Sequence, residues 1–336
     1  MQLKPIDQQV VAIVGASSGI GRKTALQFAS RGAKLVVAAR SQPGLDSLIS
    51  EIQSLGGTAI SILADVADFD QVKAIADKAV ECYGHLDTWV HAAAVSVFAT
   101  FDQLTPEEFK RIIEVNLNGQ AYGAMAALPH LKREGRGALI HISSVEARRS
   151  LPYQSAYSAS KHGIEGFLDA LRLELKHEGI PISVTNILPA VINTPFYNKG
   201  RTKLGVKPTG LPPYYQPDLV ADAILYAAEH PQRDVIVGDI GKITNFLQRL
   251  SPELMDTLLL LIGFEGQKTQ EAKSADSPNN VFEPINLYNT VDGDFDNLEI
   301  PSVSDWFDRN PAVKIAGTTA GALALALLAA QMFRAD

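Results

Sequence analysis

The sequence has little cysteine and no concentrated positive charge. Among its 336 residues Cys82 is the one cysteine, which excludes an internal disulfide and a two-cysteine metal site. Acidic side chains outnumber basic ones by 37 to 30, and no run of Lys or Arg exceeds two residues. Because clustered positive charge is what holds a nucleic-acid backbone, we expect no nucleic-acid partner.

The N-terminal region also lacks the features of a secretory signal. Residues 1–9 are polar, and the apolar run 10–14 is too short for the hydrophobic part of a signal peptide. Together with the single cysteine, this favours a reducing compartment, and we expect a cytoplasmic location.

Short runs rich in β-branched residues alternate with amphipathic stretches as far as Gly238. This alternation predicts an α/β fold of the Rossmann type, with a doubly wound, parallel, seven-stranded sheet and helices on both faces. Thr105, followed by Pro106 and two glutamates, is typical of a helix N-terminus. The predicted strands are 10–14, 35–39, 58–63, 88–92, 138–143, 183–188 and 235–237.

The alternation stops beyond Gly238, so we divide the chain into four parts. A Rossmann domain occupies 1–245, and an apolar helical extension, broken near Ser251, occupies 246–266. An acidic segment without regular period, 267–311, is predicted to be an irregular connector. A hydrophobic helix is predicted over 312–336.

This last helix has two interpretations. Residues 315–333 carry no charged side chain, and a helix of this length crosses roughly 30 Å of hydrocarbon. We favour a membrane anchor that attaches the protein to the cytoplasmic face, with Gly317 and Gly321 as a helix-packing face. The alternative is a helix docked on a neighbouring subunit or on the apolar stretch 254–262.

A glycine-rich turn, Gly15-Ala16-Ser17-Ser18-Gly19-Ile20-Gly21, connects the first predicted strand to a helical stretch. Such a turn points backbone N–H groups and a helix N-terminus at a pyrophosphate. The alternative is a tight turn whose small residues serve packing alone. Its position at the start of a long α/β alternation favours a dinucleotide site.

The residue after the second predicted strand bears on the choice of cofactor. NAD-binding folds usually carry an acid there, whereas this chain has Arg40. Because a guanidinium suits a 2′-phosphate, we expect NADP(H) to be preferred over NAD(H), unless Arg40 is a solvated surface residue. Asp65, after the third strand, is either a ligand of the adenine amino group or a strand-end cap.

Tyr157 and Lys161 are spaced to lie on one face of a helix. A free tyrosine titrates near pH ~10, so it serves acid–base chemistry at neutral pH only when a positive charge stabilises its phenolate. Lys161 is predicted to supply that charge. Ser144, at the end of the fifth strand, is predicted to hold a substrate oxygen beside Tyr157. The alternative for the Tyr–Lys pair is an ordinary helix with a half-buried tyrosine and a lysine reaching to solvent.

Taken together, these motifs resemble the short-chain dehydrogenase/reductase family over residues 10–238. The resemblance implies a carbonyl reductase or alcohol dehydrogenase in which Tyr157 transfers the proton and Ser144 orients a small-molecule carbonyl or alcohol substrate. It also implies that Lys161 lowers the pKa of Tyr157 and binds the nicotinamide ribose. Asn116 would support a water-linked proton relay to Lys161.

The resemblance further implies a set of cofactor contacts. The segment 189–194 would close over the nicotinamide, and helices 106–131 and 156–177 would pair two subunits of a homo-oligomer. No metal is expected. The predicted cofactor-binding residues are Gly15, Ser17, Ser18, Gly19, Ile20, Gly21, Arg40, Asp65, Val66, Ala92, Ala93, Asn116, Tyr157, Lys161, Ile192 and Thr194.

Three departures from the family pattern concern cofactor affinity. Val14 replaces a threonine, His91-Ala92-Ala93-Ala94 replaces Asn-Asn-Ala-Gly, and Ala190 replaces a glycine. They leave open a catalytically silent NADP(H)-binding sensor or scaffold, although the intact Ser, Tyr, Lys and Asn favour an enzyme. His91 is interpreted as a packed or capping histidine.

The aromatic segment 195–217 is the last candidate feature. It contains Phe196, Tyr197, Tyr214 and Tyr215. It is either a mobile lid over an apolar substrate or a surface loop whose aromatic rings pack on the domain.

Overall fold

The β-branched runs pair side by side in one parallel sheet. The structure, a computed structural model, describes residues 1–305. Its seven main strands are β1 Val10–Val14, β2 Lys34–Ala39, β3 Thr58–Leu63, β4 Thr88–His91, β5 Gly137–Ile142, β6 Ile182–Pro189 and β7 Asp234–Val237. They follow the order β3-β2-β1-β4-β5-β6-β7, which confirms the predicted fold class.

Helices cover both faces of this sheet. Along β1 the side chains of Val10, Ala12 and Val14 join one apolar cluster with α3, α5 and α6, whereas Val11 and Ile13 join a second cluster with α1, α2 and α8. All five residues are buried, as expected for a central parallel strand. The helices are α1 Gly19–Ser30, α2 Gln42–Ser54, α3 Phe69–Tyr83, α4 Pro106–Ile113, α5 Gly119–Glu134, α6 Ser155–His177, α7 Phe196–Lys199, α8 Pro217–Glu229, α9 Asp239–Leu250 and α10 Pro252–Ile262.

The predicted start of α4 is present in full. The Thr105 hydroxyl accepts a hydrogen bond from the Glu108 backbone N–H, and the Glu108 side chain accepts one from the Thr105 N–H. Between α4 and α5 the backbone widens into a π turn, Glu114–Asn118. This turn directs Asn116 toward the loop that follows β4.

The region after β7 differs from the predicted division. Helix α9 begins at Asp239, so the predicted domain boundary at residue 245 falls inside it, and Ser251 caps α10 as the sequence break suggested. The segment after α10 is largely irregular, yet up to Ile300 it belongs to the same compact unit as the sheet. Side chains anchor it there: Val281 is fully buried in the core, which a free connector would not allow.

The periodicity missed four short strands. Lys268–Ala272, in this segment, pairs antiparallel with Val206–Pro208, and elsewhere Val97–Phe98 pairs with Arg201–Thr202. Three of these strands have only two or three residues, and Lys268–Ala272 is mostly polar, so none shows an alternation of apolar and polar residues. The predicted hydrophobic helix 312–336 lies outside the described residues. Within residues 1–305, no helix combines the length and the apolar character that a membrane span requires.

Candidate active site

The glycine turn lies where the strand order reverses between β1 and β4, the usual ligand crevice of such sheets. A Cβ built on Gly15 would lie 2.5 Å from the backbone N of Ala93, and one on Gly21 would lie 2.3 Å from the Gly15 carbonyl oxygen. Side chains are therefore excluded at both positions, and the turn presents bare backbone at the N-terminus of α1. This cradle fits the pyrophosphate of a dinucleotide.

One pocket extends from this turn across the carboxyl ends of the strands. Of the predicted cofactor-binding residues, Asp65 and Asn116 are the two that do not line it. Those that do are Gly15, Ser17, Ser18, Gly19, Ile20, Gly21, Arg40, Val66, Ala92, Ala93, Tyr157, Lys161, Ile192 and Thr194, together with Ser144.

The predicted catalytic side chains meet in this pocket. Ser144 follows β5, and its hydroxyl hydrogen-bonds the Tyr157 phenol from α6. One turn further along α6, the Lys161 Nζ donates to the Ile142 carbonyl at 2.8 Å and lies 5.3 Å from the centre of the Tyr157 ring. The spacing read from the sequence therefore places phenol, ammonium and hydroxyl at one wall.

The electrostatics of this wall differ from the predicted pattern. Burial and the nearby Glu146 raise the pKa of Tyr157, although its hydrogen bond with Ser144 acts in the opposite direction. Burial lowers the pKa of Lys161 to about 7, against the effect of Glu146. The chain's own groups thus keep the phenol protonated at neutral pH instead of lowering its pKa, because the phenol is itself buried.

Glu146 is a site residue that the sequence reasoning missed. Its carboxylate is buried in the pocket wall and accepts a hydrogen bond of 2.6 Å from the Ser158 hydroxyl. Burial raises the pKa of Glu146 to about 8 despite this bond and the nearby Lys161. The signal was present, since an acid two residues beyond Ser144 stands next to the end of a fully buried strand.

Asn116 lies behind the pocket wall. Its Oδ1 accepts from the Val95 N–H at 2.8 Å, and its Nδ2 donates to the Val95 carbonyl at 2.9 Å and to the Ser160 hydroxyl at 3.3 Å. It therefore ties the loop after β4 to α6, next to Lys161. The relay to Lys161 stays a prediction.

Asp65 also lies outside the pocket and caps the end of β3. Its Oδ1 accepts from the Ala67 N–H at 3.0 Å, and its Oδ2 accepts from Arg111 at 2.5 Å. Arg40 is 3.9 Å from the same carboxylate. These contacts match the strand-cap interpretation and make Asp65 the counterion of two arginines.

Residues 279–293, here called the strap, form the outer wall of the pocket. Arg40 donates to the backbone carbonyls of Asn280 and Phe282, and the Gly19 N–H donates to the Thr290 carbonyl at 2.8 Å. Asn280, Pro284 and Ile285 line the pocket. The strap was predicted as part of an irregular connector because many of its contacts are made by backbone groups and its anchoring side chains follow no periodic pattern.

Two of the four aromatic residues of segment 195–217 line the pocket, and the other two pack on the domain. Phe196 and Tyr197 line the pocket, and the Phe196 ring packs 5.5 Å from the Tyr157 ring. Tyr214 and Tyr215 are fully buried instead, and the Tyr214 hydroxyl accepts from the Gly210 N–H at 2.7 Å.

His91 is buried in the core against His141, as a packed histidine.

Comparisons with known proteins agree with this geometry. A family model described as short chain dehydrogenase matches residues 9–205. The chain is 39% identical over 290 residues to an uncharacterized oxidoreductase, YxnA, of Bacillus subtilis, covering 86% of this chain and 80% of that protein. It is 32% identical to the 3-oxoacyl-[acyl-carrier-protein] reductase FabG of Thermotoga maritima, covering 66% of this chain and 91% of that protein.

A solved structure shows the same arrangement of strands and helices. The alcohol dehydrogenase from the archaeon Thermococcus sibiricus, complexed with 5-hydroxy-NADP, superposes with a TM-score of 0.60 at 27% identity, covering 68% of this chain and 95% of that one. With a family model matched over more than half its length, the chain belongs to the short-chain dehydrogenase/reductase family and is a nicotinamide-dependent oxidoreductase.

Proposed function

We propose that this protein is an NADP(H)-dependent carbonyl reductase or alcohol dehydrogenase in which Tyr157 is the acid–base group. The observation that carries the proposal is that Ser144, Tyr157 and Lys161 line the same pocket as the glycine turn. An acid, an oxygen-binding hydroxyl and a dinucleotide cradle within one cavity are the parts that carbonyl reduction requires.

Residues of this chain carry out the proton transfer in this reaction. A bound reduced nicotinamide supplies the hydride to the carbonyl carbon. The Ser144 hydroxyl, which already bonds the phenol, holds the carbonyl oxygen beside Tyr157. Tyr157 gives its proton to that oxygen, and the Lys161 ammonium stabilises the negative charge left on the phenolate. A phenol that is protonated at neutral pH suits the reducing direction.

Two neighbouring guanidiniums support the NADP preference. Arg40 and Arg111 share one counterion, Asp65, at the end of the pocket where the adenosine half of a dinucleotide lies in this fold. Burial and the neighbouring Arg111 lower the pKa of Arg40, against the carboxylates of Asp65 and Glu283, and a 2′-phosphate would stabilise the two clustered guanidiniums. The Thermococcus dehydrogenase, solved in complex with 5-hydroxy-NADP, is consistent with this choice.

The other end of the pocket supports an apolar substrate. Leu151, Val191, Phe196 and Tyr197 line the same pocket as Tyr157, and the Phe196 ring packs on the Tyr157 ring. The Thermotoga relative, named as a 3-oxoacyl reductase, is consistent with a carbonyl group on such a substrate.

A substrate panel tests the proposal. Purified protein with NADPH is offered apolar ketones, aldehydes and diketones, and NADPH oxidation is followed by absorbance, with NADPH binding measured separately. We expect oxidation with at least one class of carbonyl compound. Tight NADPH binding with no oxidation across the panel would instead favour the sensor or scaffold alternative.

A further inference from the structure

Lys199, the last residue of α7, reaches back to the glycine turn. Only 6% of its surface is exposed, and it lines the pocket. Its Nζ donates to the Ser18 hydroxyl at 3.0 Å and to the Asn289 side-chain oxygen of the strap at 3.4 Å. A lysine from the loop after β6 thus lies at the turn that follows β1.

The surroundings of this ammonium contain positive charge and no anion. None of the ion pairs among residues 1–305 includes Lys199. Burial and the positive charges of Arg22 and Arg40 lower the pKa of Lys199 to about 8. Arg22 is already paired with Glu51 at 2.7 Å. Lys199 nevertheless stays mostly protonated at neutral pH.

The other buried lysines of the described chain show what is missing. Lys207 contacts the carboxylates of Glu271 and Asp294, whereas Lys161 loses much of its charge at neutral pH because burial lowers its pKa to about 7. Lys199 has two neutral oxygen acceptors instead. A buried cation without an anion is costly, and the cost is relieved when an anion binds beside it.

We propose that Lys199 binds a phosphate group of the dinucleotide, with Asn289 of the strap directing its ammonium toward Ser18. This inference rests on the proposed function, because the anion is the cofactor's. Two phosphates offer the same chemistry. The pyrophosphate lies at the glycine turn that carries Ser18, and a 2′-phosphate would lie at Arg40. The test distinguishes them.

The test compares Lys199→Met and Lys199→Arg with the wild type. Lys273→Met is the matched control, since the Lys273 Nζ donates to the Asn198 and Gly200 carbonyls on either side of Lys199, at 2.6 and 2.9 Å, but does not line the pocket. Dissociation constants for NADPH and NADH are measured by calorimetry, and the thermal midpoint of the ligand-free protein is measured alongside. Lys199→Gln replaces Lys199→Met if the latter does not fold.

We expect Lys199→Met to weaken NADPH binding by roughly 10- to 100-fold, as loss of a charge-assisted hydrogen bond does, while Lys199→Arg and the control retain it. An equal loss for NADH assigns the pyrophosphate, and unchanged NADH binding assigns the 2′-phosphate. The ligand-free midpoint should stay the same or rise, because an uncompensated charge is removed.

Affinities of Lys199→Met within about twofold of the wild type would overturn the inference, and a lowered ligand-free midpoint with unchanged affinities would assign Lys199 a structural role. Failure of the wild type itself to bind NADPH or NADH would refute the proposed function instead.

Discussion

The two ends of the pocket differ in their electrostatics. At the phosphate end, defined by Ser18, Arg40 and Lys199, positive charges face neutral oxygen acceptors and a shared carboxylate. At the carbonyl end, defined by Ser144, Glu146, Tyr157 and Lys161, burial shifts the pKa of each ionisable group toward its neutral form. Charge at the first end serves binding, whereas desolvation at the second prepares a proton donor.

Different strands supply most of each end. The phosphate end is built from the turns after β1 and β2, and the carbonyl end from the end of β5 and the first turns of α6. Helix α7 contributes to both ends, since its Lys199 contacts Ser18 and its Phe196 packs against Tyr157. The other loops leave the sheet on opposite sides of the crevice between β1 and β4. A change at one end should therefore leave the other largely intact, and the following variants test that separation.

The largest effect is expected for Tyr157→Phe. Loss of the proton donor should lower turnover by roughly 10³-fold, while the NADPH dissociation constant changes by less than about threefold. Steady-state kinetics and calorimetry measure the two quantities. Tyr226→Phe, on the exposed side of α8, is the control and should behave as the wild type. A Tyr157→Phe enzyme with near-normal turnover would remove the acid–base role.

The next effect is expected at the opposite end. Arg40→Asp should weaken NADPH binding by roughly 10- to 100-fold and spare NADH, because a charge-assisted bond to the 2′-phosphate is replaced by repulsion. Turnover at saturating NADPH should remain close to that of the wild type. Arg31→Asp, beyond the far end of α1, controls for charge reversal alone. Equal losses for NADPH and NADH would contradict the proposed cofactor preference.

A third effect concerns stability and tests whether the carbonyl end is shielded from water. With the pKa of Glu146 raised to about 8, the folded protein holds a proton that the unfolded chain loses from about pH 4.3 upward. Wild-type stability should therefore fall relative to Glu146→Gln as the pH rises from about 4.3 to 8, by up to about 1.4 kcal/mol per pH unit. Above this window the difference should stay constant.

Urea unfolding of both proteins at a series of pH values measures this difference. Glu165, whose pKa is also raised, to about 7, titrates in both proteins and cancels. If the unfolding free energies of the two proteins changed in parallel from pH 5 to 8, Glu146 would be ionised in the folded protein. The carbonyl end would then not favour the neutral form of its ionisable groups.

The sequence was sufficient for the sheet and for most of the pocket. Apolar runs of β-branched residues marked all seven strands to within one residue at each end, because a buried parallel strand must be apolar along its length. The glycine turn and the Tyr157–Lys161 pair were found because backbone geometry and helical spacing restrict the residue types at those positions. The glycines of this turn, Tyr157 and Lys161 accordingly all line the pocket.

Contacts between distant segments could not be predicted in the same way. The strap has no period, and its bonds to Arg40 and Gly19 come from backbone carbonyls that any residue could supply. The sequence around Lys199 does not distinguish it from an ordinary surface lysine. Its role follows from the 3.0 Å contact with Ser18, which is far away in the chain. The pKa shift of Glu146 likewise depends on burial, which a single acid in the sequence does not reveal.

The most direct test of the separation between the two ends is the NADPH dissociation constant of the double variant Tyr157→Phe/Arg40→Asp. If one end of the pocket binds the cofactor and the other transfers the proton, the double variant should bind NADPH as Arg40→Asp alone does, within about twofold. The reason is that the free-energy effects of substitutions at distant, independent sites add. A further large loss of affinity on adding Tyr157→Phe would contradict this, because the phenol would then be holding the cofactor as well as supplying the proton.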